Sequence, residues 1–348
     1  MDINSIYNSM QKALKGIVPE IELKYKAELV YKINNLKKEK NAIILGHNYM
    51  EPALFYTIPD IKGDSLELSR KAAEVDNDII VFCGVKFMAE TAKILNPNKT
   101  VLLPSQKAGC SLAESITAED VRQLKKSFPG VPIVTYINTY ADVKAESDIC
   151  CTSSNAVSVV NSLKTDTVIF LPDEYLAKNV AKETGKHIIF PQILHGTEQK
   201  KNDVDILDYQ LIGWKGRCEV HEKFSVEDIN NVREQFSDVV VLAHPECSPE
   251  VVEASDFSGS TTTMIKYVEK LNGCKILLLT ECSMGDNIIA ENPDKDILRL
   301  CSVRCPHMNQ ITLEDTLSSL TDLKYKIEIP EDIRLRAHKA VQRMIEIS

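Results

Sequence analysis

The chain has no run approaching 18 apolar residues, so nothing in it is long enough to span a bilayer as a helix. It has no basic excess: 41 Lys and Arg stand against 50 Asp and Glu, a formal net charge of −9. Without a basic stripe to offset phosphate repulsion, no nucleic-acid partner is expected. Its start, Met1-Asp-Ile-Asn-Ser5, lacks a charged segment followed by an apolar one. No secretion signal is therefore expected, and the expected location is cytoplasmic. Aromatic residues reach only 6%, with one tryptophan, and no segment is of low complexity. What remains, 44% hydrophobic and 26% charged over 348 residues, suits a globular protein of two or three domains. Ten cysteines are too few at this length for a disulfide scaffold and read as buried thiols and metal ligands.

Three degenerate repeats organise the chain beyond residue 40. Each opens with an apolar run and a polar pair two residues apart: Ala42–Gly46 then His47 and Tyr49, Pro132–Thr135 then Tyr136 and Asn138, Val240–Ala243 then His244 and Glu246. About 17 or 18 residues on come Gly63-Asp-Ser65, Thr152-Ser153 and Gly259-Ser-Thr261, each running into a helical pattern. A second apolar run follows at 79–83, 167–171 and 276–280. Cys110, Cys218 and Cys305 close the repeats, 63, 82 and 61 residues after His47, Tyr136 and His244. A polar extension, 194–211, accounts for the longer middle spacing. Units of this length are too long for a solenoid and fit βαβ-type domains. The expected fold is α/β: three similar αβα units with parallel sheets around a pseudo-threefold axis. Their expected bounds are 1–112 with N-terminal helices, 113–222 and 223–311, with a tail, 312–348, packing back on the first.

Helix starts are expected at Asp64-Ser65, Ser153-Ser154 and Ser260-Thr261, where short polar side chains cap free amides. Such N-termini also favour anions. Ligands of open α/β sheets bind beyond the carboxyl ends of the strands, so the polar pairs, the hydroxyl turns and the cysteines should face one cleft.

Cys110, Cys218 and Cys305 lie in polar loops marked by glycine or proline, whereas Cys83, Cys150, Cys151 and Cys274 lie in or beside apolar strands and read as small buried hydrophobes. Cys301 competes with Cys305 as a ligand or redox partner, and repeat register favours Cys305. Cys247 and Cys282 have no counterparts in the other repeats. Three thiolates meeting at one point form a metal site short of one ligand. Zinc would take His221 or His307 as the fourth. An iron–sulfur cluster on three cysteines would keep an iron open to a substrate oxygen. The spacings match neither a zinc ribbon nor a ferredoxin run; an all-thiolate site in a cleft favours the cluster. Glu246 is the one carboxylate among the opening pairs and so the expected general base, with His244, His47 and Tyr49 as partners. Ser65, Ser153, Ser260 and Thr261 suit the anionic groups of a small substrate. Lys86 and Lys93 read as solvated or packing residues.

With these residues in view, the chain resembles the quinolinate synthase family of NAD biosynthesis from about Asn41 to its C-terminus. The resemblance is carried by His47-Asn-Tyr49, Gly63-Asp-Ser65-Leu-Glu67, 87–95, Gly109-Cys110-Ser111, Tyr136-Ile-Asn138, Cys151-Thr-Ser153, Cys218-Glu-Val-His221, His244-Pro-Glu246, Gly259-Ser-Thr261 and Cys305-Pro-His-Met308. It implies a [4Fe–4S] cluster on Cys110, Cys218 and Cys305, and condensation of iminoaspartate with dihydroxyacetone phosphate to quinolinate, with loss of phosphate and two waters. It also implies substrate contacts from His47, Ser65, Tyr136, Asn138, Ser153, His244, Glu246 and Thr261. Transient contact with the enzyme that supplies iminoaspartate is a further expectation. Two other classes stand beside this one: a zinc-dependent lyase or hydrolase, and a non-enzymatic iron–sulfur sensor.

Overall fold

The computed structural model describes residues 2–191, 209–300 and 303–347. Residues 194–208 of the extension and Cys301 lie outside them. Among the described residues, thirteen strands fall in chain order: β1 (Ala42–His47), β2 (Ile61–Gly63), β3 (Ile79–Cys83), β4 (Thr100–Leu102), β5 (Ile133–Tyr136), β6 (Ile149–Cys151), β7 (Val168–Leu171), β8 (Ile188–Ile189), β9 (Leu211–Gly213), β10 (Val240–Ala243), β11 (Phe257–Ser258), β12 (Lys275–Leu279) and β13 (Asp296–Arg299). They form three parallel sheets of four, five and four strands, ordered β2-β1-β3-β4, β6-β5-β7-β9-β8 and β11-β10-β12-β13. In each, the opening strand is flanked by the second and third strands of its unit. The central strands are largely apolar, as expected for a parallel sheet covered on both faces; every residue of β3, β5 and β7 is buried.

This topology places the polar pairs at matching positions. His47 lies opposite Gly63 and Tyr136 opposite Cys151, while His244 follows the residue opposite Ser258. The next residue repeats one backbone bond: Asn48 N–H donates to the Gly63 carbonyl at 3.2 Å and Ile137 N–H to that of Cys151 at 2.8 Å. The third unit has Pro245 there, which has no N–H to give.

Helices begin at the expected turns in two units. Asp64 caps Ser65–Glu74 and Ser260 caps Thr261–Lys270. In the second unit the helix starts later, at Ala156, and Ser153 and Ser154 occupy a turn before it. The Asn155 side chain turns back instead, accepting from Thr152 N–H at 2.8 Å, so it bonds a local backbone group rather than capping the helix.

Residues before β1 form two helices, Ile3–Ala13 and Glu20–Glu39. In the tail, helix Leu313–Asp322 packs on Glu20–Glu39 and β3. Residues 325–327 then bond along β4, with Ile327 N–H on the Val101 carbonyl at 2.9 Å. The last helix, Glu331–Glu346, lies mainly against Ala141–Ala145 and β6 of the second unit, and also against helix Lys86–Leu95 of the first. One core cluster joins the N-terminal helices, the first two sheets and the tail, while the third sheet carries two clusters of its own.

Candidate active site beyond the strand ends

One cleft of about 700 Å3, counted with its opening to solvent, lies beyond the carboxyl ends of β1, β5 and β10. His47, Tyr49, Ser65, Tyr136, Asn138, Ser153, His244, Glu246 and Thr261 line it together with Cys110, Cys218 and Cys305. Ser260 lies just behind, fully buried, with its hydroxyl donating to Asp64 at 3.0 Å. Among the described residues, the lining includes no lysine or arginine. An anion held here must therefore rely on hydroxyls, ring N–H groups, helix N-termini or a bound metal.

Glu246 is the hub. Its Oε1 accepts from the Tyr136 hydroxyl at 2.5 Å and from Asn138 Nδ2 at 3.3 Å, and its Oε2 lies 2.7 Å from His221 Nδ1. Burial works against the charge on Glu246, yet the His221 imidazole and the bonds from His221 and Tyr136 outweigh it. The carboxyl is held well below its ordinary range. Burial, then the charge on Glu246, raises both the Tyr136 and the Tyr49 phenol.

Three of the histidines lining the cleft, His47, His244 and His221, are wired in opposite senses. In His47 and His244, Nδ1 accepts from the backbone N–H two residues on, Tyr49 at 3.2 Å and Glu246 at 3.3 Å. Burial lowers their pKa values to about 4 and about 3, so both rings are neutral and the bond pattern assigns their proton to Nε2. In His244 that Nε2 lies 3.3 Å from the Ser153 hydroxyl. His221 faces a carboxylate through Nδ1 and so must donate there. Its Nε2 lies 3.1 Å from the Thr280 hydroxyl, which lies 2.6 Å from that of Tyr49. The result is a hydrogen-bonded line from Tyr49 through Thr280 and His221 to Glu246. The His221 ring also stacks on His244, centroids 4.5 Å apart.

The cysteine loops are laced together. The Ser111 hydroxyl, beside Cys110, donates to the Arg217 carbonyl at 3.4 Å and accepts from Glu219 N–H at 3.3 Å. Across the next seam Glu219 Oε1 lies 3.0 Å from His307 Nε2, and Glu281 accepts from Cys305 N–H at 3.4 Å. Burial pushes all three thiols up, Cys305 to about 11; Glu246 adds to this for Cys110 and Cys218, and to a lesser degree Cys305 acts on Cys110 and Cys110 on Cys218. Three soft donors lining one cleft, with no cationic side chain among the lining residues, suit a metal that would draw them into the thiolate form. A second donor set shares Cys218: its sulfur, a His221 ring nitrogen and a Glu246 oxygen lie within 4.8 Å of one another.

Several residues here are not evident from the sequence. Thr280 and Glu281 follow β12 much as Asp173 follows β7, and both acids cap the helix after the strand. That parallel, a polar exit from the third strand of a repeat, is the signal that points to them. Burial pushes the Glu281 carboxyl up to about 7. Burial and then Glu246 raise that of Asp173, whose Oδ2 has no hydrogen-bond partner among the described residues.

Fold and cleft together define an α/β protein that gathers three thiols and a buried hydrogen-bonded web beyond its strand ends. Residues 31–346 match the family described as quinolinate synthetase A protein, and the chain belongs to that family. It is 49% identical to quinolinate synthase 1 of Mesorhizobium japonicum over 337 residues, 97% of each chain. It is also 49% identical to the quinolinate synthase of Agrobacterium fabrum over 339 residues, 97% of this chain and 91% of the other. Over 315 residues it is 50% identical to that of Xylella fastidiosa, 90% of this chain and 86% of the other. Among the described residues, no helix is long and apolar enough to cross a membrane.

Proposed function

We propose that the chain is a quinolinate synthase of NAD biosynthesis, which condenses iminoaspartate with dihydroxyacetone phosphate and releases phosphate and two waters. The observation that carries this reading is the joining, in one cleft, of the Glu246 web to three cysteines from three separate loops. Cys110, Cys218 and Cys305 would hold a [4Fe–4S] cluster. When bound, that group supplies a Lewis-acidic iron for a substrate oxygen. The architecture we propose is three αβα units, 1–112, 113–222 and 223–311, about a pseudo-threefold axis. Iminoaspartate is unstable, so transient contact with the enzyme supplying it is part of the proposal.

The protein's own residues account for the rest. The Ser65, Ser153 and Thr261 hydroxyls, together with the helix N-termini beside Ser65 and Thr261, suit the substrate's carboxylates and phosphate. His47 and His244, held neutral, donate through Nε2 without adding a charge. Glu246, held ionised, removes a proton during isomerisation and dehydration. Tyr49, joined to Glu246 through Thr280 and His221, is its partner in moving protons across the cleft. Anaerobically prepared protein given both substrates should form quinolinate and release phosphate one for one; absence of both products rejects the reading.

One observation favours a second reading. The Cys218, His221 and Glu246 donors are close enough for a single divalent ion, as in a zinc-dependent lyase or hydrolase. One zinc per chain without sulfide would select it.

A further inference from the structure

We infer that Asp64 is a positioning residue that locks the substrate-facing loops of the three units in register. The inference rests on the reading of Ser65, Ser153 and Thr261 as substrate ligands. Asp64 is 8% exposed, and both its oxygens are fully used. Oδ1 caps its own helix, accepting from Leu66 N–H at 3.1 Å and Glu67 N–H at 3.0 Å. Oδ2 takes no part in capping. It accepts from the Ser154 hydroxyl at 2.9 Å and the Ser260 hydroxyl at 3.0 Å, residues 90 and 196 positions away. One carboxylate thus ties the first unit to the second and to the third.

The positions it ties are those next to the proposed ligands. Ser65 follows Asp64, Ser153 precedes Ser154 and Thr261 follows Ser260. Ser153 meets His244 at 3.3 Å, and Thr261 accepts from Asn48 Nδ2 at 2.9 Å. Hydroxyls from three loops take a common spacing only if something common to those loops sets it, and Asp64 touches all three.

Charge supports a role beyond capping. A carboxylate where helix N-termini meet repels an anionic substrate, and Ser, Thr or Asn would cap as well without that repulsion. Both serine hydroxyls donate to this one oxygen, so both rotors are fixed.

The test compares wild type, Asp64→Asn, Ser154→Ala and the double variant, all anaerobically loaded, by amide hydrogen exchange and steady-state kinetics. Asparagine keeps an oxygen for the cap but replaces the acceptor for the serines by an amide that only donates, so both serine hydroxyls must reverse their bonds and the tie is weakened. Exchange in 152–156 and 259–263 should then quicken about tenfold, which is about 1.4 kcal/mol of local stability. The KM for dihydroxyacetone phosphate should rise about tenfold, with kcat within about threefold, as expected when ground-state binding is lost. Ser154→Ala, which leaves the cap intact, should speed exchange in 152–156 and raise KM about threefold. Adding it to Asp64→Asn should cost little more, because the two share one bond. Exchange altered only at 64–67, or KM unchanged in Asp64→Asn, would reduce Asp64 to a helix cap and overturn the inference. If Asp64→Asn does not fold, Ser154→Ala decides by the same two readouts. Wild type that forms no quinolinate would reject the proposed function, while the exchange measurement would still decide whether the lock exists.

Discussion

Replacing Glu246 by glutamine removes the proposed base while keeping its shape. Glutamine Oε1 can still accept from Tyr136 and Asn138, which now meet Glu246 at 2.5 and 3.3 Å. The change falls at Oε2, where an amide NH2 would face His221 Nδ1 in place of an acceptor 2.7 Å away. His221 can respond by moving its proton to Nε2, toward Thr280. The lost charge-assisted bond should then cost at most about 3 kcal/mol of stability, with the fold retained. Loss of a positioned base costs about 100- to 10,000-fold in rate. Capping does not offer a competing explanation, because helix Pro249–Ala254 is capped by Ser248, which accepts from Val251 N–H at 3.4 Å. The assay is anaerobic quinolinate formation, with iron content and denaturant midpoint measured on the same preparation. Near-wild-type turnover by iron-loaded Glu246→Gln would refute Glu246 as base and shift the role to Tyr49 or His47.

Thr280→Val should lower turnover at least tenfold by breaking the line between Tyr49 and His221, and Thr280→Ser should restore most of it; equal rates in both would remove Thr280 from the relay. Gly216→Ala should cost about 1–3 kcal/mol, because a Cβ there would meet the Pro172 carbonyl at 2.6 Å and the Ser115 side chain. It should also weaken metal retention at Cys218, two residues on, and unchanged stability and iron content would count against that packing. Burial holds the folded pKa values of His47 and His244 at about 4 and about 3, so below about pH 6.5 the unfolded chain binds more protons than the folded one. Stability should therefore be fully present above about pH 6.5 and decline toward pH 3. A denaturant midpoint that stays flat from pH 7 to 5 would contradict this.

The sequence reveals the repeating frame because strands buried on both faces read as near-continuous apolar runs, and runs such as Ile79–Cys83 and Val168–Leu171 stand out on that ground. It also marks the ends of those strands, where His47, Tyr136 and His244 interrupt the pattern. Local bonding that competes with a helix cap is harder to see, and Asn155 moved one helix start by this route. Least legible are residues whose importance depends on distant partners. His221 can be read in sequence as a zinc ligand, but its pairing with Glu246 and its stacking on His244 arise only when the second and third units meet. The same holds for Asp64, which in sequence is only a good N-cap and in the fold reaches Ser154 and Ser260.

The central claim is that Cys110, Cys218 and Cys305 hold one iron–sulfur cluster in this cleft. Anaerobic iron and sulfide analysis of wild type and the single cysteine-to-serine variants tests it most directly. Wild type should carry about four iron and four sulfide per chain. Cys110→Ser, Cys218→Ser and Cys305→Ser should each lose them, and Cys83→Ser and Cys274→Ser should keep them. A wild type that binds zinc without sulfide, or a cluster that survives Cys305→Ser and is lost in Cys301→Ser, would contradict the account.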